Sequence, residues 1–508
     1  MSVPLKVRSK SGRSGGKGKR RAEGRAMAQE KTVGLLFLVA RRVVVDVLSF
    51  LVFFLLDLLD TILCYLFKVV DFFVENEWTP CYCSSGSDAI ISSGNIMVSE
   101  QGRMKIVCIS ADKLQLEDIS DTLYSRPSIF SEISGWTAAR VRQIKGMEEA
   151  GRSNKAPSRD RRRNGMLRSR YRINSTIVEM LQGKIGRQMD RLLPRWSDCY
   201  CSKCTSWVTS PKQSLYVRAN GLKEPKEKEV TDVLFIHGFV SSSVFWTETL
   251  FPNFSDDAKS RYRFLAIDLL GFGRSPKPAD SLYTLSEHVD MIERSVLNPY
   301  NVKSFHIVAH SLGCIIAIAL AVRHPNSVKS LTLLSPPYFP VPEGENGSQY
   351  VLRQVAPRRV WPLMAFGSSV AAWYEHISRI WCLVVCKNHR LLDFLVRLIT
   401  RNRIRTYLVE GFFCHTHHGA WHTLHNIICG TASKMDDYLE QVARLSCQVT
   451  VLHGADDELL PVDCSFAVRS KIPRARVKVI EKKDHLTIVV GRQKAFAREL
   501  EEIWKPCS

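Results

Sequence analysis

Residues 305–323 read FHIVAHSLGCIIAIALAVR, and the fold turns on this stretch. Phe305–Ala309 is a short apolar run with the texture of a buried strand, and Leu312–Arg323 is an apolar segment of helix length. Between them stands Ala309-His310-Ser311-Leu312-Gly313, a serine with a small residue two positions away on either side. Small residues there let the chain turn sharply from strand into helix and lift the hydroxyl clear of a sheet. This is the nucleophile-elbow pattern G-x-S-x-G, with Ala309 in place of the first glycine. A serine hydroxyl is a poor nucleophile until a neighbouring imidazole removes its proton, and a helix N-terminus beneath it favours a developing anion. The unit therefore calls for a histidine and a carboxylate elsewhere in the chain.

Both are found downstream. The runs Val233–Ile236, Phe264–Ile267, Phe305–Ala309, Leu331–Leu334, Val449–Leu452 and Val477–Ile480 read as buried parallel strands. Helix-length segments such as Leu285–Leu297 lie between them, so residues 213–508 form one doubly wound α/β domain. Val449–Leu452 leads into His453-Gly454-Ala455-Asp456-Asp457, which puts two carboxylates just past a strand end. After Val477–Ile480 comes Lys483-Asp484-His485. The order Ser…Asp…His at the ends of successive strands is that of α/β-hydrolases. Upstream, Val233–Ile236 runs into His237-Gly238-Phe239, so the backbone amides of Phe239 and Leu312 are the expected oxyanion donors. His237, Gly238 and His310 lie beside the site, and Asp268 ends a strand where it braces a turn.

The stretch from 338 to about 434 breaks the strand–helix rhythm and reads as an inserted helical cap. Trp361, Phe366, Trp373, Tyr374 and Trp381 would line an acyl-chain tunnel there or form the cap's core. His415, His417, His418, His422 and His425 crowd the same region. Their spacing suits zinc, but a serine mechanism needs neither metal nor cofactor, and packing is the favoured reading.

The chain has 508 residues and a net charge of +21, which invites a nucleic-acid reading. Location argues against it. Residues 1–31 hold ten Lys/Arg against two Glu, and residues 138–172 hold twelve against three acids, so most of the excess sits in two stretches poor in apolar periodicity. Both read as disordered, solvated segments. Residues 32–80 are strongly apolar and read as a signal or anchor segment. On a helical wheel Asp46, Asp57, Asp60, Cys64, Lys68 and Asp71 share one narrow stripe. Three readings stay open: a signal peptide or signal anchor, a helix at a membrane surface with its acidic stripe in water, or a buried helix of a soluble protein. Met27 is a second candidate start. Residues 81–212 form a Cys-flanked linker. Cys81, Cys83, Cys199, Cys201 and Cys204 suit disulfides in an oxidising compartment, with a structural zinc as the alternative although CxC spacing is less typical of it, and sequons begin at Asn174, Asn253 and Asn346.

FIHGFVSSSVFWTETLFPNF (235–254), RFLAIDLLGFGRSPKP (263–278) and HIVAHSLGCIIAIALAVRHP (306–325) resemble the α/β-hydrolase superfamily. More narrowly, WTPCYC (78–83), DTLYSRP (121–127), RWSDCYCSKCTSW (195–207), WYEHISR (373–379), CHTHHGAWHTLHNII (414–428) and KDHLTIVVGRQKAFARELE (483–501) resemble the plant BODYGUARD family. That resemblance implies a lysophospholipase or other ester hydrolase of the epidermis, needed for cuticle and cutin formation. It also implies a location at the cell membrane or secreted to the cell wall. The family pattern H-G-x-x-D-E-L-x-P assigns the acid to Asp457 and leaves Asp456 a solvated neighbour. The expected catalytic set is thus Ser311, Asp457 and His485, acting on a lipid or other acyl ester, with membrane association through residues 32–80. Acyl transfer on the same residues, or ligand reception without turnover, are the rival readings.

Overall fold

A computed structural model describes residues 16–75, 95–100, 103–108, 120–123, 214–220, 231–278, 281–399, 411–412, 414–432 and 434–505. The linker cysteines, the Arg-rich stretch 138–172 and the sequon at Asn174 lie outside the described residues. Residues Asn95–Glu100 and Arg103–Cys108 pair as an antiparallel hairpin.

Seven strands form the central sheet: β1 (Val217–Asn220), β2 (Thr231–Ile236), β3 (Tyr262–Ile267), β4 (Phe305–His310), β5 (Val328–Leu334), β6 (Gln448–Gly454) and β7 (Arg476–Ile480). Their spatial order is β1-β3-β2-β4-β5-β6-β7. Only β1 runs antiparallel, on the edge against β3. Six of the seven contain the apolar runs read from sequence. β1 escaped that reading because an edge strand with an exposed face needs no apolar run, and Val217-Arg218-Ala219-Asn220 has none.

Alternation within each strand divides two cores. Leu234, Ile236, Leu265, Ile307 and Leu331 point to one face, where they meet helix α3 (Leu312–Arg323), helix α2 (Leu285–Ile292) and helix α9 (Met435–Arg444). Val233, Phe235, Phe264, Val308 and Leu452 point to the other, against helix α10 (Gln493–Trp504). Burial on both faces is why these strands are apolar at nearly every position. Helix α2 starts on a capping box, with Thr284 accepting from Glu287 N and Glu287 accepting from Thr284 N.

Between β5 and β6 the chain is helical: α4 (Gly347–Val355), α5 (Leu363–Trp373), α6 (Glu375–Lys387), α7 (His389–Ile399) and α8 (His417–Thr423), the last running on into a π-helical turn at Leu424–Cys429. Trp373 and Tyr374 are buried there, while Trp361 and Trp381 face outward. Residues 120–123 tuck against this insertion, where Ser120 N donates to Asn426 Oδ1 and Thr122 Oγ1 bonds His425 Nδ1.

Helix α1 runs unbroken from Gly16 to Glu75. It begins inside the segment expected to be a disordered basic tail. The physical reason is composition: Ala, Arg, Lys, Gln and Glu of residues 16–31 are good helix formers, and extending an existing helix needs no new nucleus. Among its described side chains the buried positions are Ser49, Phe53, Asp57, Asp60, Cys64, Phe67 and Asp71, at spacings of three and four. They dock on the cap. Asp71 takes a bidentate pair from Arg379 at 2.9 Å on each oxygen, and Asp60 Oδ1 accepts from His376 N at 3.0 Å and Ile377 N at 3.2 Å. Tyr374 Oη donates to Phe53 O, and Phe67 stacks on the His376 ring. The acidic stripe, apart from exposed Asp46, therefore faces protein rather than water.

Candidate active site

Ser311 caps helix α3 from a strained backbone, φ 53 and ψ −123, as the elbow pattern requires. Such a conformation costs a non-glycine residue about 1–3 kcal/mol and persists only where its surroundings impose it. Here the imposing partner is β2. A Cβ at Gly313 would sit 2.6 Å from the His237 carbonyl oxygen, so only glycine lets the first turn of α3 approach that strand end. The Ser311 side chain spends no hydrogen bond on capping the helix.

The amides expected to receive an oxyanion are placed accordingly. Leu312 is the first residue of α3, and Phe239 lies three residues past the end of β2, directly after Gly238, which abuts both His310 and Ser311. Among the described residues neither N–H has a hydrogen-bond acceptor. His237 is buried and fully engaged: Nε2 accepts from Leu269 N at 2.9 Å, so Nδ1–H donates to Gly238 O at 2.7 Å. Burial, more than any neighbour, lowers its pKa. It braces the loop and is not free to move protons. Asp268 is likewise a brace, accepting from Ser243 N and Arg274 N.

At the ends of β6 and β7 the two remaining residues meet. His485 Nδ1 lies 2.7 Å from Asp457 Oδ2. The Asp457 side chain is wholly buried, yet its other oxygen accepts from Leu459 N and Leu460 N at 3.0 and 2.9 Å. Burial pushes this carboxyl up, but the nearby His453 imidazole and the hydrogen bond from His485, aided by the Leu460 amide, outweigh it and hold the pKa below the usual carboxylate range. An ionised carboxylate only accepts, so the proton of His485 is on Nδ1 and Nε2 keeps its lone pair. Asp456 is exposed and takes no part in this cluster.

Two histidines that the sequence singled out weakly or not at all complete the arrangement. His453, buried at the end of β6, has Nε2 bonded to Leu460 O at 2.9 Å and 3.4 Å from Asp457 Oδ2, with Nδ1 on Ser465 Oγ. It approaches the same carboxylate oxygen as His485. His310 donates from Nε2 to the His485 carbonyl at 2.9 Å, and the two rings lie 4.7 Å apart. Burial, then the neighbouring His485, lowers the pKa of His310 to about 3, so it stays neutral. Through His310 the serine turn and the histidine loop are held together. Among the described residues Ser311 Oγ makes no hydrogen bond to His485, and catalytic contacts of this kind are commonly long in ligand-free structures.

The cap histidines are occupied otherwise. His418 Nε2 bonds Ser281 O, His415 Nδ1 bonds Phe412 O, and His425 Nδ1 bonds Thr122. Among the described residues no group of three His, Cys, Asp or Glu could hold a metal ion.

A mostly parallel sheet whose fourth strand ends in a strained serine beneath a helix N-terminus is the α/β-hydrolase fold, and the family model described as alpha/beta hydrolase fold matches residues 232–367. The chain belongs, within that class, to the BODYGUARD family. It is 55% identical to "Probable lysophospholipase BODYGUARD 1" of Arabidopsis thaliana over 89% of this chain and 95% of the relative. With "Probable lysophospholipase BODYGUARD 2" of the same plant it shares 54% over 90% and 97%. A solved carboxylesterase structure from Nitrososphaera gargenis covers 59% of this chain and 97% of its own at TM-score 0.41 and 19% identity.

Proposed function

We propose that this protein is a serine ester hydrolase acting on lipid acyl esters, of which a lysophospholipid is the first to test. The observation that carries the reading is the 2.7 Å hydrogen bond between His485 and Asp457, tethered through His310 to the strained Ser311. In this mechanism His485 Nε2 takes the proton of Ser311 Oγ as the oxygen attacks the ester carbonyl. The amides of Phe239 and Leu312 receive the negative charge that develops on the carbonyl oxygen. Collapse breaks the bond to the alcohol, which leaves with the proton from His485 Nε2. Water, deprotonated by the same imidazole, then attacks the acyl-serine and releases the fatty acid. Asp457, kept ionised, offsets the charge on the imidazole in both halves.

Membership of the BODYGUARD family supports a role in building cuticle or cell wall, with the enzyme at the cell membrane or in the wall. The test is labelling by a fluorophosphonate probe. Wild-type protein should label and hydrolyse lysophosphatidylcholine, and Ser311→Ala should do neither while unfolding at a similar temperature. Undiminished labelling of Ser311→Ala would remove the serine from its assigned role.

A further inference from the structure

Helix α1 has its polarity turned inside out for a helix of a soluble protein. Ser49, Asp57, Asp60 and Asp71 face the cap together with Phe53 and Phe67, and most of the remaining apolar side chains face away. Val44, Leu55, Ile62, Tyr65 and Phe73 are each more than half exposed. Soluble proteins rarely leave so much apolar surface in water. The stretch Arg42–Asp71 is long and apolar enough to cross a bilayer. Yet its contacts with the cap run from Ser49, whose Oγ accepts from Val360 N, to Asp71 on Arg379. That docked length of ~33 Å, at about 1.5 Å per residue, equals the whole hydrocarbon thickness of ~30 Å. A helix held to the cap along this length could not cross a bilayer upright without drawing part of the hydrolase domain into hydrocarbon.

The cap itself offers the same kind of surface. Helix α7 exposes Leu391, Phe394 and Leu398, a set at i, i+3 and i+7. Trp361 and Trp381 are each 60% exposed, and tryptophan concentrates where hydrocarbon meets headgroup. Arg41, Arg42 and the six Lys/Arg of residues 16–31 would repel one another in a parallel pair of α1 helices, but they suit anionic headgroups.

We propose that α1 is retained in the folded enzyme and lies in the plane of one membrane leaflet. Its polar stripe is locked to the cap and its apolar face is immersed in hydrocarbon. The insertion that follows β5 is then fixed at the lipid surface. Resting here on the ester-hydrolase reading, we take the substrate to be a membrane-resident acyl ester that reaches Ser311 from the bilayer rather than from solution.

Full-length protein carrying one epitope ahead of Met1 and another after Ser508 is made with microsomes. It is then extracted with alkaline carbonate and treated with protease. The expected result is a chain that stays in the pellet, keeps residues 42–75, and presents both epitopes on the same side. Epitopes on opposite sides would mean a spanning helix and overturn the proposal. So would release by carbonate, or a mature chain that begins beyond Asp71. Leu55→Glu combined with Ile62→Glu should move the protein to the supernatant while leaving hydrolysis of a short, soluble ester near the wild-type rate. Continued pelleting of that variant would show that this face is not the lipid contact. A detergent-free dimer that buries α1 would give the face to a second copy instead. A membrane-bound protein with both epitopes on one side but no esterase activity would overturn the enzymatic reading alone.

Discussion

Asp457 accepts hydrogen bonds from two backbone amides and from His485, with His453 close behind, while the adjacent Asp456 faces solvent. Strand placement read from sequence leaves both aspartates open, because each lies within three residues of the end of β6. The family pattern chose between them. What no pattern could supply was the crowding around Asp457, since His453 and Leu460 reach it only after the chain folds back at the strand end. Asp457→Asn is expected to lower kcat by ~10³–10⁴-fold, because an amide no longer fixes the proton on His485 Nδ1 or offsets the imidazolium. Asp456→Asn should leave kcat unchanged. Steady-state hydrolysis of a soluble ester compares the two, and equal losses would show the acid to be misassigned.

At the ends of β2, β4 and β6 a glycine, Gly238, Gly313 or Gly454, permits a close approach of the chain. After β6, a Cβ on Gly454 would lie 2.3 Å from the Lys483 carbonyl oxygen and 2.8 Å from that of Asp484, the residues leading into His485. Gly454→Ala must therefore push the histidine loop away from β6. Overpacking of this kind costs about 1–3 kcal/mol, and the displaced imidazole should slow fluorophosphonate labelling of Ser311 at least tenfold in a protein of unchanged circular dichroism. Labelling at the wild-type rate would show that the loop tolerates the shift. Five of the six parallel strands were legible because both their faces are buried, so apolar runs mark them, whereas the edge strand β7 is half exposed and shows only Val477, Val479 and Ile480. Helix α1 was legible as an apolar helix with a polar stripe, but not in its orientation. Periodicity reports which residues share a face, and the partner that receives that face, here Arg379 and His376, lies some 300 residues away in the chain.

Across the molecule, buried imidazoles set a common response to acid. Burial lowers the pKa of His288, His306 and His310 to about 3 and that of His415 to about 4, and it lowers His237 as well. A folded-state value below the unfolded one of about 6.5 means the unfolded chain binds more protons as pH falls through that range. Stability from these groups is complete above pH ~6.5 and is lost on acidification, by ~1 kcal/mol per histidine at pH ~5.5. Asp457 adds to the same trend only at lower pH, below the ordinary aspartate value. The thermal midpoint should therefore fall steadily from pH 7.5 to 5.5 in scanning calorimetry, and a flat profile would contradict the burial of these rings. Sequence showed the histidines but not their dryness, which packing creates: His306, for one, is closed in by Tyr262, Ser330 and Trp504. The salt bridge between Asp71 and Arg379 spans 308 positions, and during synthesis that interval is time. At roughly 5–20 residues per second, α1 leaves the ribosome some 15–60 s before its arginine is made. On the membrane-leaflet reading proposed above, the nascent apolar face would need another host over that period, such as a translocon or chaperone, and biogenesis would end in a handover from that host to the late-arriving cap.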